Sequence, residues 1–83
     1  MNTPMSTYWL LLEVVPQADG TFRHYPQFGD VAKHVVLEEK QDLCKSGYYE
    51  PTNLKVVSIP FPKGTDPINI DVQAFITQLD QGA

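Results

Sequence analysis

Tyr8-Trp9-Leu10-Leu11-Leu12-Glu13-Val14-Val15 is an almost unbroken apolar run that stops at Pro16-Gln17-Ala18-Asp19-Gly20 and resumes as Thr21-Phe22-Arg23-His24-Tyr25. Side chains alternate between the two faces of a strand, so an apolar run without alternation reads as a strand covered on both sides. Asp19-Gly20 between two such runs marks a hairpin connection, because glycine adopts the positive φ that these turns need. The expected first strand runs from Ser6 to about Val15. One of its faces carries Tyr8, Leu10, Leu12 and Val14, and the other carries Trp9, Leu11, Glu13 and Val15. The second strand is expected from Thr21 to Tyr25, ended by Pro26, which has no N–H to give to a ladder.

The segment from Gly29 to Gly47 carries two patterns. As a helix it starts at Asp30, a good N-cap, gathers Phe28, Val31, Ala32, Val35, Val36 and Leu43 on one arc, and stops at Gly47 after Lys45. Against this, Glu39 and Asp42 fall in the same arc, and His34-Val35-Val36-Leu37-Glu38 has the β-branched content of a short strand. The helix is the favoured reading. After the loop Ser46-Gly47-Tyr48-Tyr49-Glu50-Pro51-Thr52-Asn53, Leu54-Lys55-Val56-Val57-Ser58-Ile59 reads as a third strand. Pro60-Phe61-Pro62-Lys63-Gly64-Thr65-Asp66-Pro67 reads as an ordered connection. Phe61 within it either plugs a partner or packs beneath the last helix, and core packing is preferred. The last helix is the clearest: Asp71 is its N-cap, Val72, Phe75, Ile76 and Leu79 recur at helical spacing, Ile70 and Phe75 form a hydrophobic staple, and Gly82 is the stop.

With 83 residues the chain is expected to form one domain, residues 1–83, with residues 1–5 a loose arm that includes Met5 as an alternative start. A chain this short buries only about 60–65% of its unfolded surface, so a deep catalytic cavity within one copy would be costly. Hydrophobic residues make up 42% and charged residues 19%, which is enough apolar material for a packed core. Ten acidic against six basic residues leave a net charge of −4, which offers no cationic footprint for phosphate backbones, so no direct nucleic-acid binding is expected. The acids are too few and too interleaved with Lys33, Lys40, Lys45 and Lys55 to mimic DNA. Cys44 is the single cysteine, which rules out an intrachain disulfide and fits a reducing compartment. The apolar run is preceded by no Lys or Arg, is interrupted by Glu13 and is too short to span a bilayer. The expectation is a cytoplasmic protein without membrane contact.

No motif names a chemistry. Cys44 with His24 or His34 has the residue types of a nucleophile and its base, but no local signature pairs them, and a packed cysteine is the plainer reading. His34 and Glu38 would share a helix face and, with His24, hold zinc, yet the same spacing describes an ordinary exposed pair. Glu38, Glu39 and Asp42 alternate with Lys40 and Lys45 as on a solvated helix face. No catalytic residue, cofactor or metal site is assigned. Tyrosines on loops offer large amphipathic contact area at low entropic cost, so Tyr48 and Tyr49 read equally well as a recognition loop or as one core cap beside one exposed ring.

The expected architecture is α+β: a small antiparallel sheet of about three strands with two helices packed on one face, in the order β-β-α-β-α. Exposed sheet edges and a surplus apolar face on the first strand, carrying either Tyr8 and Leu10 or Trp9 and Leu11, point to pairing with another chain. That chain would be a second copy in a symmetric dimer or an extended segment of a different protein. The functional expectation is a small acidic, non-catalytic protein that binds another protein and modulates its activity or assembly, in the manner of a phage or mobile-element accessory protein or inhibitor. Its expected protein-binding residues are Tyr8, Trp9, His24, Tyr25, Tyr48 and Tyr49. Two alternatives remain: a subunit of a homo-oligomeric enzyme or ligand-binding protein whose site lies between copies, drawing on His24, His34, Cys44, Tyr48 and Tyr49, and a structural component of a larger particle.

Overall fold

The structure, a computed structural model, describes residues 4–81. Strands β1 (Met5–Pro16) and β2 (Phe22–Asp30) lead into helix α1 (Lys33–Ser46), which is followed by strand β3 (Leu54–Pro62) and helix α2 (Val72–Asp80). Short 3-10 turns at Pro51–Asn53 and Pro67–Asn69 join them. The sheet order is β2-β1-β3, with β1 in the centre and antiparallel to both neighbours. The class, the strand count and the order β-β-α-β-α follow the sequence pattern.

The two helices divide between the faces of the sheet instead of sharing one. Leu10, Leu12, Ile59 and Ile76 form one buried cluster, joined by Val72, Phe75 and Leu79 of α2. Leu11, Leu54 and Val36 of α1 form another, joined by Trp9, Phe28 and Leu43. Because Leu10 and Leu12 point one way from β1 and Leu11 the other, α1 and α2 lie on opposite sides. The cause is topological. β2 and β3 run parallel to each other on either side of β1, so the chain between them must cross the sheet, and α1 makes that crossing over the Leu11 face. Leu10 and Leu12 then need a second cover, which α2 supplies. Leu11 and Leu12 are both fully buried, so β1 has no surplus apolar face there.

The hairpin closes as the Asp-Gly signal implies. Gly20 has φ +89°, and Asp19 accepts hydrogen bonds from the Thr21 N–H at 3.0 Å and the Thr21 hydroxyl at 2.6 Å. β2 does not stop at Tyr25. It runs through Pro26 to Asp30, because β2 is an edge strand and Pro26 sits opposite Leu12, where the nitrogen faces away from β1 and no ladder donor is lost. The register shifts between Leu11 and Leu12, which leaves Gln27 as the extra residue of a bulge. β3, the other edge, likewise runs through Pro60 to Pro62, and Phe61 between them is buried.

α1 is a helix throughout His34–Glu38, so the strand alternative falls away. It begins at Lys33, not Asp30: Asp30 is held in the ladder opposite Trp9, and its carboxylate instead accepts the Ala32 N–H at 2.8 Å as the chain turns off the sheet. Phe28 accordingly packs from the strand, and Val31, expected on the buried arc, is 52% exposed. Gly47 ends the helix with φ +80°. In α2, Asp71 caps the Ala74 N–H at 3.0 Å, while Ile70 and Phe75 pack on the same cluster. Of the expected loose arm, residues 1–3 lie outside the described residues. Met5 already belongs to β1, and the Pro4 carbonyl accepts the Lys63 N–H at 3.0 Å. Gly82 also lies outside the described residues.

Gly29 is required by close approach. A Cβ there would come within 2.6 Å of Cζ of the Tyr8 ring, which lies across β2 at that point. Gly29→Ala should therefore cost about 1–3 kcal/mol in urea unfolding and displace the Tyr8 ring, whose proton shifts would report it. A variant of wild-type stability with unmoved ring shifts would show that the ring is not held there.

Candidate functional site

The six side chains singled out for binding do not share one environment. Tyr8 packs against the α2-side cluster over Gly29. Trp9 is half-buried on the α1 side, with the Lys33 ammonium 4.9 Å from its ring centroid, a cation–π contact within the chain. His24 lies on the outer edge of β2. Tyr25 and Tyr49 are linked through Gln27 on the α1 side, and Tyr48 stands exposed beside Tyr49 in the chain.

His24 stands opposite Val14 at a position whose backbone N–H points outward from the sheet. That N–H donates to Asp80 Oδ1 at 2.8 Å, and His24 Nδ1 meets the same oxygen at 2.8 Å. An ionised carboxylate can only accept, so Nδ1 is the protonated ring nitrogen in this contact. The last residue of α2 thus closes the β2 edge at His24, and Pro26 closes it again at the next outward position. Pro60 and Pro62 do the same for the far half of β3. The hydrogen bonds from the His24 ring and backbone, with a smaller contribution from Arg23, hold the Asp80 carboxyl below the ordinary carboxylate range. Thr21 lowers Asp19 in the same way, its hydroxyl being the larger cause.

The bulge ties Tyr49 to the β2 edge strand at Tyr25. Gln27, the extra residue of β2, accepts the Tyr49 hydroxyl at 3.1 Å and donates its side-chain amide to the Tyr25 carbonyl at 3.3 Å. Tyr49 packs into the Leu11, Val36 and Leu54 cluster, while Tyr48, next to the αL residue Gly47, is 89% exposed. The pair therefore consists of one ring that caps the core and one that faces solvent. Tyr25 is 48% exposed and lies directly opposite Glu13 in the ladder. Glu50 follows Tyr49 and is exposed. Sequence reasoning found the tyrosines but passed over Gln27, Glu13 and Asp80. A glutamine in a bulge and a carboxylate 56 residues from its partner leave no local pattern to read.

The groups considered for chemistry stay apart. His34 sits in the first turn of α1 and Cys44 in its last, about 15 Å apart along the axis at 1.5 Å per residue. Cys44 packs half-buried against the α1-side cluster, whereas His24 is engaged by Asp80 on the β2 edge. Among the described residues, no three His, Cys, Asp or Glu side chains are placed to hold a metal ion together, and no helix is long and apolar enough to cross a membrane. Comparison with protein-family models, with curated proteins and with solved structures finds no match for this chain.

The Asp80 contact sets a pH dependence. A carboxyl depressed in the folded state contributes stability that is fully present above its unfolded value and is lost as pH falls through the folded value. Urea midpoints should therefore fall more steeply for the wild type than for Asp80→Asn as pH drops below about 3.8, the ordinary aspartate value. Parallel curves would show that the His24–Asp80 contact adds nothing to folding.

Proposed function

We propose that this chain is a non-catalytic cytoplasmic module that binds another protein and modulates its activity or assembly, in the manner of a phage or mobile-element accessory protein or inhibitor. The observation that supports this reading is the exposure of two tyrosine rings, Tyr25, whose carbonyl accepts the Gln27 side chain, and Tyr48, the chain neighbour of Tyr49. Each sheet face has its helix, and proline or Asp80 blocks parts of both edges. A partner would therefore engage side chains more readily than it would add a strand. Exposed aromatic rings beside fixed hydrogen-bonding groups are the usual composition of energetic centres in protein interfaces. The single thiol, Cys44, is half-buried among apolar side chains and suits a reducing compartment.

The test is affinity capture from a lysate of the native host, with mass-spectrometric identification, using the wild type beside a Tyr25→Ser/Tyr48→Ser double variant. Truncating two aromatic contacts of about 1–2 kcal/mol each should weaken retention of the captured partner by tenfold or more. The far-UV circular dichroism should stay unchanged, because both rings are outside the core. Equal capture by both proteins, or capture of nothing by a folded wild type, would overturn the reading.

A further inference from the structure

We propose that the open half of β3 is a self-pairing edge, through which two copies of this chain join their three-stranded sheets into one antiparallel sheet about a two-fold axis at Val57. The alternation of the ladder identifies the groups involved. The His24 N–H points away from the sheet, so its opposite residue Val14, and with it Leu12 and Leu10, turn their own backbone groups toward the β3 side. Lys55 and Val57 meet those of Leu12 and Leu10, which leaves the N–H and C=O of Val56 and Ser58 facing outward. No other backbone group among the described residues bonds to them. Val56 is half-buried and Ser58 exposed, while α2 sets its backbone closest to β2 at the opposite edge. The β2 edge is interrupted at His24 by Asp80 and at Pro26 by its missing donor. The open stretch of β3 is separate from the exposed tyrosines.

The occupant is a second copy because the edge complements itself. Its outward donors end at symmetric places: the Leu54 N–H already donates to the Pro51 carbonyl, and Pro60 has no N–H. Val57 lies midway between them. A two-fold axis there sets Val56 opposite Ser58 of the second copy and Ser58 opposite its Val56, so every outward N–H of one copy meets an outward carbonyl of the other. It also sets Leu54 opposite Pro60, so the positions without a free donor face each other and no N–H is stranded. The side chains agree with this register. Lys55 is the only charged residue of β3 and has no ion-pair partner among the described residues. The axis at Val57 keeps the two lysines apart and places each opposite Ile59 of the other copy, whereas an axis at Val56 would set them on a short diagonal. Ile59 lines a groove with Asp71 and Gln78, which gives the incoming ammonium a carboxylate to meet. Half-buried Val57 faces its own counterpart as a β-branched cross-strand pair.

A ladder this short makes a weak dimer, so the test is sedimentation of the full chain at rising concentration into the millimolar range. The expected result is a reversible shift from a 9.4 kDa species to one of twice that mass. Amide hydrogen exchange on the same samples should slow at Val56 and Ser58 as the dimer forms and stay unchanged at Tyr48 and Glu50. Ser58→Pro repeats what Pro60 and Pro62 already do, removing an outward donor without touching the ladder to β1. It should weaken the dimer about tenfold or more, the scale of the hydrogen bonds lost from both copies. Lys55→Glu, which brings a carboxylate to the Asp71 groove, should weaken it severalfold. Tyr25→Ser/Tyr48→Ser should dimerise like the wild type, so this edge and the tyrosines are read separately. A wild type that stays monomeric throughout, exchange that slows elsewhere but not at Val56 and Ser58, or a folded Ser58→Pro chain that dimerises like the wild type would overturn the inference. If Ser58→Pro fails to fold, an unweakened Lys55→Glu dimer overturns it instead.

Discussion

Everything in this fold follows from the need to bury β1 on both sides. Three consecutive leucines cannot be hidden by one layer, because Leu11 points away from Leu10 and Leu12. A chain of this length has two helices to spend on the problem, and the structure puts one on each face. The consequence is a thin three-layer arrangement in which each helix contributes one fully or almost fully buried side chain, Val36 from α1 and Ile76 from α2. Each cover is narrow. On the α1 side Tyr49 extends the cover over the Leu54 end of the cluster.

Local signals in the chain were strong and the structure follows them. Asp19-Gly20 defined the hairpin through a positive φ, and Asp71 with the spacing of Val72, Phe75, Ile76 and Leu79 defined α2 through its cap and its apolar stripe. What could not be read locally depended on knowing which strand is central. Pro26, Pro60 and Pro62 look like strand terminators until β2 and β3 are recognised as edges, where an outward nitrogen costs no ladder bond. Asp30 looks like a helix cap until the pairing of Asp30 with Trp9 claims its backbone. The assignment of helices to faces is likewise a property of the sheet order and not of either helix.

The candidate surface was half legible for the same reason. Tyrosines on a loop advertise themselves by type, but the partners that fix their positions come from the bulge in β2 and from the opposite strand. The chemistry-bearing groups that stood out by residue type, His24, His34 and Cys44, turn out to serve three unrelated local roles: an edge contact, an exposed first helical turn, and packing against the α1-side cluster. Residue type alone could not separate these from a shared site, whereas positions in the ladder and along α1 do.

The central position of β1 also shapes how the molecule can assemble itself. Its contacts with β2 close a short loop, but those with β3 wait for α1 and its flanking turns to be in place, a much longer closure. The β1–β2 hairpin can therefore form early, yet until β3 arrives it presents the open side of its most apolar strand. Folding speed, and the chance of two unfinished chains pairing through that side, should be governed by the docking of β3.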